Sequence, residues 1–93
     1  MATYNTASKQ LLDNFAVVAT LEPSPIEVGQ SVTVGSLGAP FDGTFTVLAC
    51  PQYLFTGIDG ATGEFMYDFT TPIPNQILYA CTGDDVEFVA IFS

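Results

Sequence analysis

Ninety-three residues, 48% of them apolar or aromatic and 12% charged, provide for one domain with one hydrophobic core and not for two. Ten carboxylates against a single cation, Lys9, give a formal charge of −9. This excludes nucleic-acid and anionic-membrane partners, because both need clustered Lys and Arg. The chain has no His and no Arg, and it has no apolar run of about 18 to 20 residues, so the commonest general base, the guanidinium clamp and a helical membrane span are excluded too.

A domain of this size buries only about 60 to 65% of the surface that its unfolded chain exposes, so oligomerisation is expected to add to its stability. The charged share is about half that of an ordinary soluble domain. Two arrangements fit: a β-sandwich with well-covered faces, or a protomer that hides apolar surface against a partner, and the second is preferred. The acidity serves either solubility and mutual repulsion or complementarity to a basic partner surface.

Residues 1–14 show little periodicity, although Leu11, Leu12 and Phe15 would line one side of a helical turn, and they read as an N-terminal arm. Such an arm is either frayed or reaches onto a neighbouring subunit. Its opening, MATYNTASKQLL, has neither the basic region nor the apolar region of a secretion signal, and synthesis in the cytoplasm is expected. The remaining residues, 15–93, form the single β-domain.

FAVVATL, residues 15–21, predicts a strand ended by EPSP at 22–25. A second runs from Ile26 to Val34, with Gly29-Gln30 as either a turn that divides it or a bulge. GSLGAPFDG, 35–43, is a loop. In Thr44–Cys50, Phe45 and Val47 are expected to face the core, with a Thr-bearing face toward solvent or a partner.

Tyr53–Phe55 is a short apolar segment before the turn GIDGATG at 57–63, after which Phe65, Tyr67 and Phe69 make one side of a strand aromatic and in need of cover. TPIPN, 71–75, is a break. Ile77–Thr82 and Val86–Phe92 then predict a hairpin across Gly83-Asp84-Asp85. The last strand is apolar on both faces apart from Glu87, so it is expected to sit inside a sheet or to be capped by a partner. About seven short strands without a helix predict an all-β fold, a small β-sandwich or partly open barrel.

No catalytic constellation emerges from this pattern, and the chain reads as a non-enzyme. Asp42, Asp59, Glu64 and Asp68 show no placement that suggests two carboxyls facing across a cleft. Asp59–Glu64 and the cluster Asp84, Asp85 and Glu87 offer oxygen ligands, yet neither has the spacing of a calcium loop, and both read as solvated turns. GSLGAPFDG leads into a strand and not a helix, so its glycines serve the turn and not a phosphate. Cys50 and Cys81 lack zinc spacing and read as two buried thiols, with a disulfide left open if their strands are neighbours. No cofactor and no metal are expected.

The stretch from Val32 to Glu87, with VTV leading to GAPFDGTFTV and later PNQILYA and GDDV, resembles a small β-domain of virion proteins from tailed phages that infect actinobacteria. The N-terminal third is unmatched. The resemblance implies a structural protein of the virion, assembled in the host cytoplasm: a capsid decoration or minor capsid protein that binds the major capsid protein and stabilises the head. The alternatives are a head-to-tail connector or tail component. Self-association as a trimer would suit threefold capsid sites. Tyr4, Leu11, Leu12, Phe41 and Phe92 are the expected contact residues. A binding module for a host surface, working through the loops at 35–43 and 57–63, is the reading of a different class.

Overall fold

The computed structural model describes residues 5–21, 26–35, 37–38 and 41–90. Its strongest local feature is a two-residue turn at Asp13 and Asn14, which both take positive φ, 52° and 64°. That pair of angles belongs to a type I′ hairpin turn, whose twist matches its flanking strands, and short polar side chains tolerate it best. The strands β1 (Thr6–Leu12) and β2 (Phe15–Thr20) therefore pair antiparallel from Leu12 opposite Phe15 outward. Cys81 N–H donates to the Asn14 carbonyl at 2.9 Å and Asp13 N–H to Asp85 Oδ1 at 3.2 Å, which ties the turn to distant segments. Replacing Asn14 with β-branched Val should cost about 1–2 kcal/mol. The check is the denaturant midpoint, and an unchanged value would contradict a left-handed Asn14 in solution.

Six further strands follow: β3 (Ser31–Val34), β4 (Gly43–Thr46), β5 (Tyr53–Ile58), β6 (Phe65–Pro72), β7 (Gln76–Ala80) and β8 (Val86–Ala90). They form a central four-stranded sheet in the order β7-β2-β1-β8 and two antiparallel pairs, β3–β4 and β5–β6. The fold is all-β, as expected, with eight strands among the described residues in separate sheets and no closed barrel.

Alternation along each strand sorts the central sheet into two apolar faces. Leu11, Ala16, Val18, Ile77 and Tyr79 pack with Val34, Phe41 and Val47 on the side of β3–β4. Val17 and Leu78 pack with Phe55, backed by half-buried Leu12, Phe15, Ile58, Phe65 and Tyr67, on the side of the β5–β6 hairpin. A sheet covered on both sides has no polar face to show, which is why FAVVAT and QILYA read as continuous apolar runs.

Several expectations need correction. Residues 6–12 are not an arm but an interior strand, held between β2 and β8. The last two strands do not form a hairpin: β7 pairs with β2 and β8 with β1, so they lie at opposite edges of the sheet. The β1–β2 hairpin occupies the space between them, because its two-residue turn closes at less entropic cost than a longer loop. β8 is thus an edge strand rather than an interior one, with Phe88 and Val89 exposed.

The predicted strand 26–34 contracts to Ser31–Val34, because Glu27–Gln30 turns through Gly29 at φ 92°. Gln30 N–H donates to Glu27 O, and Glu27 N–H to Gln30 Oε1. The strand expected over 44–50 ends at Thr46, while Phe45 and Val47 do face inward and Thr33 and Thr44 meet hydroxyl to hydroxyl on the exposed side. Cys50 and Cys81 are both thiols. Cys81 is buried as expected but Cys50 is exposed, and partial desolvation of its thiol, followed by the Glu27 charge, pushes that thiol up.

Candidate functional site

The chain's one cation is spent inside the fold. Lys9, half-buried on β1, donates from Nζ to Leu37 O at 3.0 Å and lies 5.2 Å from the centre of the Phe41 ring. This pins Leu37 and Phe41, on either side of one loop, over the first core face. Asp42 closes the same loop by accepting the Leu37 N–H at 2.9 Å, and Phe41 N–H returns to Gly38 O, where φ is 85°. What remains outside is carboxylate only.

The carboxylates weighed for catalysis do not converge. Asp42 lies on the β3–β4 side of the central sheet, whereas Glu64 and Asp68 belong to the β5–β6 hairpin on the opposite side. Asp59 holds the hairpin turn, accepting Ala61 N–H at 2.8 Å, and backbone donors at Ala61 and Thr62 keep its carboxyl below the usual range. A shallow hollow of about 150 Å³ lies between Ile26, Cys50, Pro51, Gln52, Asn75 and Gln76 and contains no ionised group. Among the described residues, no three His, Cys, Asp or Glu side chains gather as a metal site would require.

Two of the expected contact residues prove to be core. Leu11 is fully buried and Phe41 nearly so, both in the cluster under β3–β4, where neither can touch a partner without unfolding. Leu12 is half-buried against the second cluster. Tyr4 and Phe92 lie outside the described residues.

Besides exposed Leu21, Val28, Leu48 and Met66, the surface presents two apolar features at a ladder break and at a sheet edge. The first is Phe69, 71% exposed, at a break in the β5–β6 ladder where Tyr53 pairs with Pro72 but the next residue, Leu54, pairs with Asp68. The three extra residues bulge outward, and Asp68 holds them by accepting the Thr70 N–H and hydroxyl and the Thr71 hydroxyl. Those bonds, the Thr70 hydroxyl first, keep the Asp68 carboxyl below its usual range. Tyr53 meets Phe69 edge to face at 5.0 Å and fixes its ring. The aromatic side expected to need cover is therefore covered at Phe65 and Tyr67 and open at Phe69. An Asp followed by Thr two and three positions on was the available sign of this bulge, since such side chains capture local backbone.

The second feature is β8, whose Phe88 and Val89 are 40% and 44% exposed. It pairs with β1 alone, through a ladder shifted between Lys9 and Leu11. β7, the other edge, is partly closed: Leu48 N–H donates to Leu78 O and Leu78 N–H to Ala49 O, at 2.8 and 2.9 Å. Gln76 fastens the same side, with Nε2 within 3.2 Å of the carbonyls of Pro51, Tyr53 and Ile73. Among the described residues, the central sheet has one edge bridged at Leu78 and one open edge.

Compared with protein-family models, curated proteins and solved structures, the chain matches none. The functional reading therefore rests on these surfaces and on the composition.

Proposed function

We propose that this chain is a structural protein of a tailed-phage particle, most specifically a decoration protein that binds the major capsid protein on the outside of the head. The observation that carries the reading is β8: an apolar strand left, among the described residues, at an open edge of a sheet otherwise buried on both faces. Free monomers guard such edges, whereas assembling subunits use them. The phage-virion resemblance of Val32–Glu87, the low charge density and the dispersed carboxylates support the same reading, and no catalytic role is assigned.

Contact with the capsid runs through surface strands, and Thr6–Leu12 of the expected arm has no part in it, since removing residues 1–14 would take out β1 and the core residue Leu11. Self-association, as a trimer, belongs to the exposed Phe69 of the hairpin. Phe69→Ser should leave the unfolding free energy of the monomer, from urea titration, within about 0.5 kcal/mol of the parent, as for other exposed positions. It should also shift the sedimentation of the purified protein toward the monomer. A parent protein that is already monomeric at high concentration would remove this role.

The decisive measurement is the copy number per particle, by quantitative mass spectrometry of purified virions against the major capsid protein. Roughly hundreds of copies are expected from repeated symmetric capsid sites. Roughly six or twelve, the counts of ring-shaped assemblies, would move the protein to the head-to-tail junction or the tail. Absence from the particle would overturn the reading in favour of a host-surface binding module acting through the loops at 35–43 and 57–63.

A further inference from the structure

We infer that the open edge of β8 takes up an extended, basic segment of a partner chain as a fifth strand of the central sheet. This deepens the reading above by naming the chemistry of the partner, and it depends on that reading only for the partner's identity.

A strand bonded on one side directs half of its N–H and C=O groups away from the sheet, and these groups template another strand unless something obstructs them. The usual obstructions are Lys, Pro, a covering segment or a bulge. β8, with the sequence VEFVA, carries neither Lys nor Pro. Its ladder to β1 carries one extra residue on β8, where Glu87 and Phe88 stand opposite Gln10 alone, so of these obstructions it has a single bulge, with regular pairing at Val89 and Ala90, and its one charge is Glu87. The contrast with β7 is internal to the fold, because residues 48 and 49 bond to Leu78 there and cover the middle of that edge. Along β8, exposed Phe88 and Val89 supply the side-chain contacts that give an added strand its register.

Charge decides the occupant. Asp84 and Asp85 immediately precede the strand, and Glu87 lies within it. Asp85 is partly engaged by the Asp13 N–H, and the only cation of the chain is turned inward to Leu37 and Phe41. A second copy paired here would set its own Asp84, Asp85 and Glu87 against the same three carboxylates with no cation to answer them. A strand flanked by Lys or Arg meets Asp84, Asp85 and Glu87 with the opposite sign and gains both attraction and a faster encounter.

The test uses the full chain and synthetic peptides of about ten residues, enough to span a β-strand. The first alternates Thr and Val between Lys flanks, the second has Glu flanks instead, and the third keeps the Lys flanks but carries a central Pro. Backbone amide NMR shifts and hydrogen exchange are read at low and raised salt. The Lys-flanked peptide should bind with shifts and exchange protection centred on 86–90, weakening as salt rises. The Glu-flanked and Pro-interrupted peptides should bind at least about tenfold more weakly.

Glu87→Lys, a change at an exposed position, should lower affinity for the Lys-flanked peptide while leaving thermal unfolding in place. Equal binding of all three peptides, shifts confined to the hairpin, or no binding would overturn the inference. So would protection of 86–90 by self-association in the absence of peptide. Absence of the protein from virions, with a positive titration, would end the capsid reading and leave this one standing. Hundreds of copies with a flat titration would do the reverse.

Discussion

Tyr79→Ala is expected to cost about 3–5 kcal/mol, the range for removing a large buried ring, and so to consume much of the roughly 5–15 kcal/mol that holds a domain folded. Tyr79 is fully buried on β7, its ring stacks on Phe45 at 4.4 Å, and its hydroxyl donates to the Phe41 carbonyl at 3.1 Å. It therefore joins the central sheet to β4 and to the loop that Lys9 pins. Tyr79→Phe keeps the ring and should cost less, about 1–3 kcal/mol, because it orphans one buried carbonyl.

The two variants also differ from the parent in alkali. Burial first, then the charges of Cys81 and Asp42, push the Tyr79 hydroxyl far above the ordinary tyrosine range. The unfolded chain therefore gives up that proton before the folded one does. The contribution is fully present below about pH 10 and is lost as pH rises beyond it, since the unfolded state then binds fewer protons. Urea midpoints measured across this window should fall more steeply for the parent than for Tyr79→Phe. Parallel slopes would show that the hydroxyl is not shielded.

Phe55→Ala carries the second large effect, also about 3–5 kcal/mol, but with a different spatial signature. The second core face has three fully packed members, Val17, Phe55 and Leu78, of which only Phe55 comes from the hairpin. Its ring sits edge-on to Phe65 at 6.0 Å, and its carbonyl accepts Gln10 Nε2 at 2.7 Å. Truncation removes the main anchor of β5–β6 while leaving β1–β2 and the β3–β4 face intact. Hydrogen exchange should show amides of 53–72 opening well before those of 6–20. Uniform acceleration across the chain would mean that the hairpin is part of a single cooperative unit.

Of the candidate surface, one half was legible in residues alone. That VEFVA is apolar on both sides and needs an unusual environment follows from its alternation, and the reading that something must cap it stands as a proposal. That it lies at the edge was not legible, because edge or interior is a property of which strands are neighbours. Phe69 was read as one of three equivalent aromatics. Only the ladder break at Asp68 separates it from Phe65 and Tyr67, which the packing covers.

Whereas the one core expected from the chain length is two clusters on opposite faces of the central sheet, composition and local pattern by themselves determined the all-β class, the acidic exterior and most strand positions from Phe15 onward. These depend on contacts between near neighbours in sequence: proline and glycine punctuation, side-chain alternation, and the absence of a helical period. The tertiary structure alone decided that residues 6–12 form an interior strand. It also decided that β7 and β8 part to opposite edges and that Lys9 turns inward. A polar-looking strand such as TASKQLL carries little signal of its own. It is held because Leu11 and Leu12 point to opposite cores, Gln10 reaches the β5 backbone and Lys9 reaches Leu37, all through partners far away in the chain. Long-range pairing of that kind is set by the burial of both sheet faces at once, which no window of sequence contains.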